Sequence, residues 1–371
     1  KGRVAVAELS ERVRALVQPQ MRGLEPYDPD FAPCRINLSA NENDLGLPAP
    51  VRARVDAALR ATPTNRYPDP MANELRDEIA SWHGVSRANV FVSDGGDEAL
   101  FDLFLAFGGP GRTLVNCPPT FSVYALYASM LGTTVLDVPR DPETFAPNAD
   151  ELAAAAADAA IVVLTSPNNP TGDVMDPAGV ARVCEACPGL VLADEAYGEF
   201  AGPGLSSEPL LAAHDNLVVL HTFSKAYCLA GARCGYLLAA PDVVDGLAAV
   251  RQPYSVGVLA QAAALAVARE RAAFEPLVDE IRSERERLLL EIRALGRALP
   301  VRVWPSQANF LLVRVPNASR VRSRLRDERS ILVRDFSSAP GLADCLRITV
   351  GTREENDELL GALEAILKEE S

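Results

Sequence analysis

One lysine of the chain lies where lysines are seldom found. In the stretch TFSKAYCLAGARCGY, Lys225 is surrounded by small, hydroxyl-bearing and apolar residues, and Arg233 follows eight positions later. Lysines normally lie on wet surfaces. A buried, weakly hydrated amine loses its proton more easily and becomes a nucleophile toward an aldehyde. The stretch predicts a reactive lysine, or else a lysine that only reaches outward from the end of a strand.

An acidic residue and a glycine turn could act together with this lysine. Asp194 ends the apolar run VLAD, where an unpaired carboxylate is costly, so a cationic partner such as Lys225 or Arg233 is expected nearby. Gly96 and Asp97 open a predicted helix after NVFVSD, and the free N–H groups of a helix start bind anions such as phosphate. An ordinary glycine turn with a helix cap is the alternative interpretation.

Taken together, these residue types match the needs of one cofactor. Pyridoxal phosphate requires an amine for a Schiff base, a carboxylate that keeps the pyridine nitrogen protonated, donors for the ring oxygen and a phosphate cup. The sequence offers an amine, a carboxylate and an anion site, each directly after a predicted strand. Ligands of open parallel sheets bind beyond the carboxyl ends of the strands. The pattern therefore predicts a pyridoxal phosphate site at that edge of a sheet.

The strands that must position these residues follow one another between about residues 89 and 240. Seven nearly apolar runs are separated by helix-length segments: NVFVSD, TLVNC, TVLDV, AIVVLTS, LVLADE, LVVLHTF and CGYLLAA. Such runs indicate a mostly parallel sheet that is covered by helices on both faces. We predict an α/β fold with this sheet in a large domain.

The C-terminal third has a different pattern and predicts a second domain. Long helices of charged and apolar residues alternate there with the strands NFLLVRV, ILVRDF and CLRITV. A length of 371 residues is compatible with two domains. We predict an N-terminal helix and arm over 1–40, a large cofactor-binding domain over 41–255 and a small α+β domain over 256–371.

Ten motifs, in order along the chain, resemble one known family. They are RGLEPY, NLSANEN, NRYPDP, SDGGDEA, NCPPTF, SPNNPTG, ADEAYGEF, TFSKAYCLAGARCGY, ILVRDF and LRITVGTREEND. The sequence thereby resembles the fold-type I pyridoxal phosphate-dependent aminotransferases, and within them the histidinol-phosphate aminotransferases. An ordered set of motifs over nearly the whole chain is far more specific than any single motif.

The resemblance implies a role for each matching residue around the cofactor. Lys225 would bond the cofactor aldehyde, Asp194 would hold the pyridine nitrogen, and Asn169 and Tyr197 would donate to the ring oxygen. Phe121 would stack on the ring. The implied phosphate contacts are Gly96, Asp97, Thr222, Ser224 and Arg233, with Tyr67 of the partner subunit. The implied substrate contacts are Arg347, Arg334, Tyr27 and Asn169.

The resemblance also implies a reaction and an assembly. The amino group would pass between L-histidinol phosphate, which becomes imidazole-acetol phosphate, and the pair 2-oxoglutarate and glutamate, in a cytoplasmic homodimer with shared active sites. An aromatic amino acid aminotransferase, a decarboxylase of phosphorylated amino acids and a cofactor-binding regulatory module without turnover remain alternatives. Phe121, where the family often has tyrosine, and Asp44, where proline is usual, depart from the family pattern.

Composition and missing motifs exclude several other functions. The formal net charge of −14 disfavours nucleic acid and anionic membranes as partners. Seven scattered cysteines indicate reduced thiols in a cytoplasmic protein. The hydrolase and dehydrogenase motifs G-x-S-x-G and G-x-G-x-x-G do not occur. Only His83, His214 and His221 could offer imidazole ligands, and the sequence predicts no metal site.

Overall fold

The computed structural model of the chain describes residues 11–22, 24 and 32–370. Over these residues the chain forms twelve α-helices: α1 (Glu11–Leu16), α2 (Ala49–Ala61), α3 (Asn73–His83), α4 (Gly95–Phe107), α5 (Val123–Met130), α6 (Ala149–Ala156), α7 (Pro177–Ala186), α8 (Pro241–Val250), α9 (Val258–Arg269), α10 (Glu275–Leu295), α11 (Ala318–Arg329) and α12 (Arg353–Glu370). The described strands are β1 (Ile36–Leu38), β2 (Val90–Ser93), β3 (Thr113–Asn116), β4 (Thr134–Asp137), β5 (Ile161–Thr165), β6 (Leu190–Asp194), β7 (Leu217–Thr222), β8 (Gly235–Ala239), β9 (Arg302–Val303), β10 (Phe310–Arg314), β11 (Ile331–Asp335) and β12 (Cys345–Thr349).

The larger sheet contains all seven strands predicted between residues 89 and 240. Its order is β2-β8-β7-β6-β5-β3-β4, and only β8 runs antiparallel to its neighbours. Every residue of the central strands β5, β6 and β7 is buried, which is why these strands read as continuous apolar runs. The predicted α/β fold with a mostly parallel sheet is confirmed.

Helices cover this sheet on both faces, as alternate strand residues show. On β5, Ile161 and Val163 pack into one apolar cluster with residues of α4, α5 and α8. Their neighbours Val162 and Leu164 pack into the other cluster, with residues of α3, α6 and α7. Because successive side chains of a strand point to opposite faces, each face has its own core.

The smaller sheet has the order β1-β11-β12-β10-β9 and packs with α10 and α11, and α12 packs against these two helices. Its strands β10, β11 and β12 are the three predicted from sequence. The N-terminal arm adds a strand that was not predicted, because β1 pairs in parallel with β11, with Ile36 opposite Ile331. α9 begins just after the predicted domain boundary at residue 255, and it packs against α2 and α3, which lie before that boundary. The boundary itself stays a prediction.

Hydrogen bonds tie the small sheet to the large domain beside the strand ends. Asn41, just after β1, donates its backbone N–H to Thr349 of β12 at 3.0 Å and its side-chain amide to the Tyr197 hydroxyl at 2.9 Å. The buried guanidinium of Arg285 donates to the carbonyls of Phe200 at 3.1 Å and Ala308 at 3.0 Å. The two Asn41 bonds hold residues 39–42 over the carboxyl ends of the large sheet.

The cysteines and the apolar content of the helices are two further features of the structure. All seven cysteines are unpaired, including Cys184 and Cys187 near the end of α7. None of the helices in the described part of the chain combines the length and apolar content needed to cross a bilayer.

Candidate active site

A cavity of about 390 Å³ lies at the carboxyl ends of β5, β6 and β7, beneath residues 39–42. Its volume falls within the roughly 300–1,000 Å³ typical of small-molecule sites. Twelve of the fourteen site residues predicted from sequence line it: Gly96, Asp97, Phe121, Asn169, Asp194, Tyr197, Thr222, Ser224, Lys225, Arg233, Arg334 and Arg347. Tyr67 lies elsewhere, and Tyr27 lies outside the described residues.

Asp194 is a buried carboxylate whose direct partners are neutral. It ends β6 and is 5% exposed. Its Oδ2 accepts a hydrogen bond from the Tyr124 hydroxyl at 2.6 Å, and its Oδ1 accepts one from the backbone N–H of Ala196 at 3.0 Å. Burial raises the pKa of Asp194, and these two hydrogen bonds oppose the rise.

The cationic protein partner expected for Asp194 is therefore not found, which corrects the sequence analysis. Among the described residues, neither Lys225 nor Arg233 pairs with this carboxylate. The Lys225 amine donates to the carbonyl of Ala40 at 3.0 Å, and the Arg233 guanidinium lies 3.2 Å from Asp97. Lys225 and Arg233 lie on different walls of the cavity and contact other groups. Their positions after predicted strands therefore did not predict an ion pair with Asp194.

Tyr124 is the functional residue that sequence reasoning missed. It lies on α5 and is fully buried, with its hydroxyl between Asp194 and the Thr165 hydroxyl, which donates to it at 3.0 Å. Burial and the neighbouring Asp194 carboxylate raise the pKa of Tyr124, so it stays a donor. A tyrosine one helical turn after Phe121 was visible in TFSVY, but nothing in the sequence showed which way it points.

Lys225 follows β7 and carries its amine into the same cavity. Its side chain is half-buried, and its Nζ lies 5.9 Å from the centre of the Tyr197 ring. Burial, and next the positive charge of Arg347, lower the pKa of Lys225 to about 8. Near neutral pH an appreciable share of this amine is therefore unprotonated and nucleophilic.

The start of α4 forms an anion site together with the loop after β7. The first N–H groups of α4, at Gly95, Gly96 and Asp97, have no partner within the helix. The Thr222 and Ser224 hydroxyls, 2.9 Å apart, line the cavity beside them. This arrangement offers backbone donors and hydroxyls to a phosphate.

Close packing makes glycine necessary in this cup. Gly95 has φ of +74°, and a Cβ there would lie 2.6 Å from the Arg233 guanidinium. A Cβ at Gly235 would lie 2.9 Å from the backbone of Gly95 and Gly96. The two glycines thus let β8 approach the start of α4 and let Arg233 close the cup from one side.

Two polar residues on one wall are held in fixed orientations. The Asn169 Oδ1 accepts from Arg347 Nη1 at 2.6 Å, which leaves its Nδ2 as the atom able to donate to a ligand. Tyr197 is buried, and its hydroxyl oxygen accepts a hydrogen bond from the Asn41 side-chain amide. Asn169 can therefore donate to an oxygen of a bound ring, and Tyr197 lines the same cavity.

Two arginines face each other at the end of the cavity formed by the small sheet. Arg334 on β11 lies directly opposite Arg347 on the antiparallel strand β12. Arg347 is buried, with its guanidinium 5.5 Å from the Phe310 ring and 5.4 Å from the Phe336 ring, and its Nη2 donates to the Ser39 carbonyl at 2.5 Å. Two guanidinium groups side by side attract an anion.

Phe121 and Tyr67 complete the list of predicted residues. Phe121 lines the cavity and meets the Tyr124 ring edge-on at 5.6 Å. Tyr67 is 82% exposed and stacks on Tyr254 at 4.6 Å, outside the cavity. Within one chain, Tyr67 therefore takes no part in the site.

The residues of the cavity fit pyridoxal phosphate. A buried carboxylate with only neutral partners suits a protonated pyridine nitrogen, an amine of lowered pKa suits an aldehyde, and an anion cup suits a phosphate. In a chain with a net charge of −14, this gathering of cationic groups marks a local anion site.

Comparisons with known proteins agree with this fit. Residues 35–363 match the model of the family "Aminotransferase class I and II". The chain is 36% identical over 357 residues to histidinol-phosphate aminotransferase of Caldanaerobacter subterraneus subsp. tengcongensis, covering 96% of this chain and 99% of that one. The chain therefore belongs to the aminotransferase class I and II family. Within that family, it is similar to the histidinol-phosphate aminotransferases.

Solved structures show the same similarity. The histidinol-phosphate aminotransferase from Sinorhizobium meliloti, crystallised in complex with pyridoxal 5'-phosphate, has a TM-score of 0.87 and 25% identity, covering 96% of this chain and 99% of that one. L-threonine-O-3-phosphate decarboxylase from Porphyromonas gingivalis has a TM-score of 0.78 and 26% identity, covering 90% and 99%. The fold alone therefore does not separate amino transfer from decarboxylation.

We expect Tyr124→Phe to destabilise the protein by about 1.5–3 kcal/mol at pH values where Asp194 is ionised, because the buried carboxylate loses a hydroxyl donor. The same hydrogen bond lowers the pKa of Asp194, so its loss raises that pKa further. The destabilisation should be present above the folded-state pKa of Asp194 and shrink as pH falls through it. Urea unfolding over a pH series measures both effects.

Tyr127→Phe, on the same helix, is the matched control and should change stability by no more than about 0.5 kcal/mol. A Tyr124→Phe protein as stable as the control across the whole pH series would contradict the assigned contact.

Proposed function

We propose that this aminotransferase uses pyridoxal phosphate to transfer an amino group between L-histidinol phosphate and 2-oxoglutarate, forming imidazole-acetol phosphate and glutamate. The single observation that carries the proposal is a cavity where Lys225 and the buried Asp194 lie between two anion sites. One site is the cup at the start of α4, and the other is the pair Arg334 and Arg347.

The cavity residues divide into those that hold the cofactor and those that move protons. The Asp194 carboxylate would hold the pyridine nitrogen, and Tyr124 and Ala196 hold that carboxylate in place. Asn169 and Tyr197 would hold the ring oxygen, and Phe121 would stack on the ring. The phosphate would be held by Gly96, Asp97, Thr222, Ser224 and Arg233.

When bound, pyridoxal phosphate supplies an electron-withdrawing ring that stabilises negative charge at the substrate carbon. Lys225 would supply the base: its unprotonated amine would accept the proton from that carbon and would return it to the cofactor carbon that receives the amino group. A lysine with a pKa of about 8 can do both near neutral pH, since both of its protonation states are populated. Asp194, as a carboxylate, favours positive charge at the ring nitrogen throughout.

The substrate must offer an anion to the two arginines. In one half-reaction this anion is the phosphate of histidinol phosphate, and in the other it is a carboxylate of glutamate or 2-oxoglutarate. Arg347 and Arg334 are forked donors that accommodate both groups. Tyr27, which lies outside the described residues, belongs to the same proposal as a further contact.

Two other reactions fit much of this site. An aromatic amino acid aminotransferase would need the same Lys225 and Asp194, and a decarboxylase of phosphorylated amino acids would need the arginines as well. A regulatory module would need the cofactor but no base. The curated relative named a histidinol-phosphate aminotransferase, at 36% identity, supports transamination of histidinol phosphate over these alternatives.

We also propose that the working form is a cytoplasmic homodimer. The Tyr67 side chain is largely exposed and lies on a proline-rich segment outside the cavity of its own chain. This position suits a residue that reaches the phosphate cup of a partner. Seven unpaired cysteines suit a reducing compartment. The other partners are small molecules, with no nucleic acid and no membrane.

The first prediction concerns Lys225. Borohydride treatment of the holoenzyme should fix a pyridoxyl group to Lys225, and Lys225→Ala should abolish turnover, as shown by peptide mapping and assay. Cofactor attachment to the apoenzyme should accelerate as pH rises and level off above about 8, since the unprotonated amine reacts. Arg347→Met removes a cation that lowers the pKa of Lys225. The midpoint of the pH dependence of cofactor attachment should therefore lie at higher pH in this variant.

Free N-acetyl-lysine methyl ester, with no folded site, is the control for the ionisation of the cofactor itself. A pyridoxyl label on another lysine would refute the mechanism.

The second prediction concerns the substrate. Arg347→Lys keeps the charge but loses the bidentate fork, so substrate binding should weaken by about 1.5–3 kcal/mol for each charge-assisted bond lost, in both half-reactions. Arg334→Ala should raise KM more than it lowers kcat if it contributes uniform binding. Arg302→Lys, an exposed residue paired with Glu143, is the matched control.

Single-turnover reactions with histidinol phosphate, histidinol, histidine and phenylalanine decide among the substrates. Histidinol phosphate should react fastest. A preference for phenylalanine would overturn the substrate while leaving the aminotransferase intact, and release of carbon dioxide from a phosphorylated amino acid would indicate the decarboxylase.

The third prediction concerns the dimer. Tyr67→Ala chains and Lys225→Ala chains should each be impaired alone, and mixing them should restore about one quarter of the sites, because half of the randomly formed dimers carry one intact site. Mixing Lys225→Ala with Asp194→Asn is the control and should restore nothing, since both residues line the cavity of the same chain. Absence of recovery in the first mixture, or a fully active monomer, would exclude the shared site.

A further inference from the structure

Three titratable side chains meet on the other face of the large sheet, behind the candidate active site. His83 ends α3, Glu208 begins a short 3-10 helix, and His221 lies on β7. Leu220 and Thr222 line the cofactor cavity, so His221, between them, points to the opposite face. One ligand atom of each of these three residues lies within 4.8 Å of the other two.

His221 lacks the contacts that a buried imidazole needs. Its side chain is 7% exposed, and neither ring nitrogen has a hydrogen-bond partner among the described residues. Buried polar atoms are nearly always bonded, so two bare nitrogens on one ring require an explanation.

The distances between the three ligand atoms suit a small divalent ion. Glu208 Oε2 lies 2.9 Å from His83 Nδ1 and 3.9 Å from His221 Nε2. Ligands held about 2.0–2.1 Å from a tetrahedral metal are about 3.3 Å apart. An ion between the three atoms therefore needs shifts of roughly an ångström, which side-chain rotation supplies.

A polar group lies behind His83, and a carboxylate lies farther away behind His221. The other nitrogen of His83, Nε2, lies 2.8 Å from the Tyr236 hydroxyl. The other nitrogen of His221, Nδ1, faces Glu199 Oε1 at 4.0 Å. Metal-bound histidines commonly place a carboxylate or another polar group at the second ring nitrogen. The side chain of Glu208 is 26% exposed and gives access from solvent.

We propose that His83, Glu208 and His221 form a binding site for a divalent first-row transition ion, with Zn²⁺ as the probe. Two imidazoles and one carboxylate are a donor set that such ions prefer, and the fourth position is left for solvent. The sequence showed no metal motif because the ligands come from three separate elements. A bound ion would tie α3 and the 3-10 helix to β7.

Metal binding to the holoenzyme tests the proposal directly. Wild-type protein and the variants His221→Asn, Glu208→Gln and His214→Asn are dialysed against chelator-buffered Zn²⁺, and bound zinc per chain is measured by mass spectrometry. Wild type and His214→Asn, which changes the one histidine outside the cluster, should hold one ion per chain. His221→Asn and Glu208→Gln should lose it. Tyr236→Phe should bind roughly 10-fold more weakly, because the orientation of His83 is lost.

Thermal unfolding provides a second measurement that does not depend on catalysis. Tm should rise with Zn²⁺ concentration in wild type and in His214→Asn, and stay constant in Glu208→Gln. If His221→Asn fails to fold, the partly exposed Glu208→Gln decides alone. Wild type without stoichiometric zinc, or a Glu208→Gln variant that binds as well as wild type, would overturn the proposal, and the latter result would place the zinc at other ligands.

Discussion

The buried carboxylate of Asp194 is the constraint on which the rest of the site depends. An ionised group at the end of a central strand is costly to bury, and here its direct protein partners are the neutral Tyr124 hydroxyl and one backbone N–H. These donors offset part of the desolvation and leave the negative charge uncompensated. A cationic ring nitrogen supplies that compensation, which is why the cavity suits pyridoxal phosphate.

The cationic groups of the cavity suit anions, whereas Asp194 suits a cation. Arg233 at the cup and Arg347 at the far end are each held by neighbouring groups, and Lys225 lies between them. Because Arg347 helps to lower the pKa of Lys225, the residue proposed to bind the substrate anion would also help to prepare the proposed base. Anion binding and proton transfer are thereby linked through one electrostatic field.

Strand β7 carries two different chemistries on its two faces. Thr222 lines the cofactor cavity, while His221 faces His83 and Glu208 on the other side of the sheet. In a sheet covered on both faces, the residue before a site residue is buried in the opposite layer. An ion bound there would brace the strand end that supports the phosphate cup without entering the cavity.

The sequence by itself determined the seven strands of the large sheet and the residues at their carboxyl ends, because buried parallel strands are apolar runs and ligands bind where they end. The resemblance then supplied the role of each residue. Only the tertiary structure decided which residues meet. It added β1 to the small sheet, directed Tyr124 to Asp194 in place of a cation, and brought His83, Glu208 and His221 together. Such contacts join side chains far apart in sequence, and their direction depends on how helices pack across the sheet, which no local pattern records.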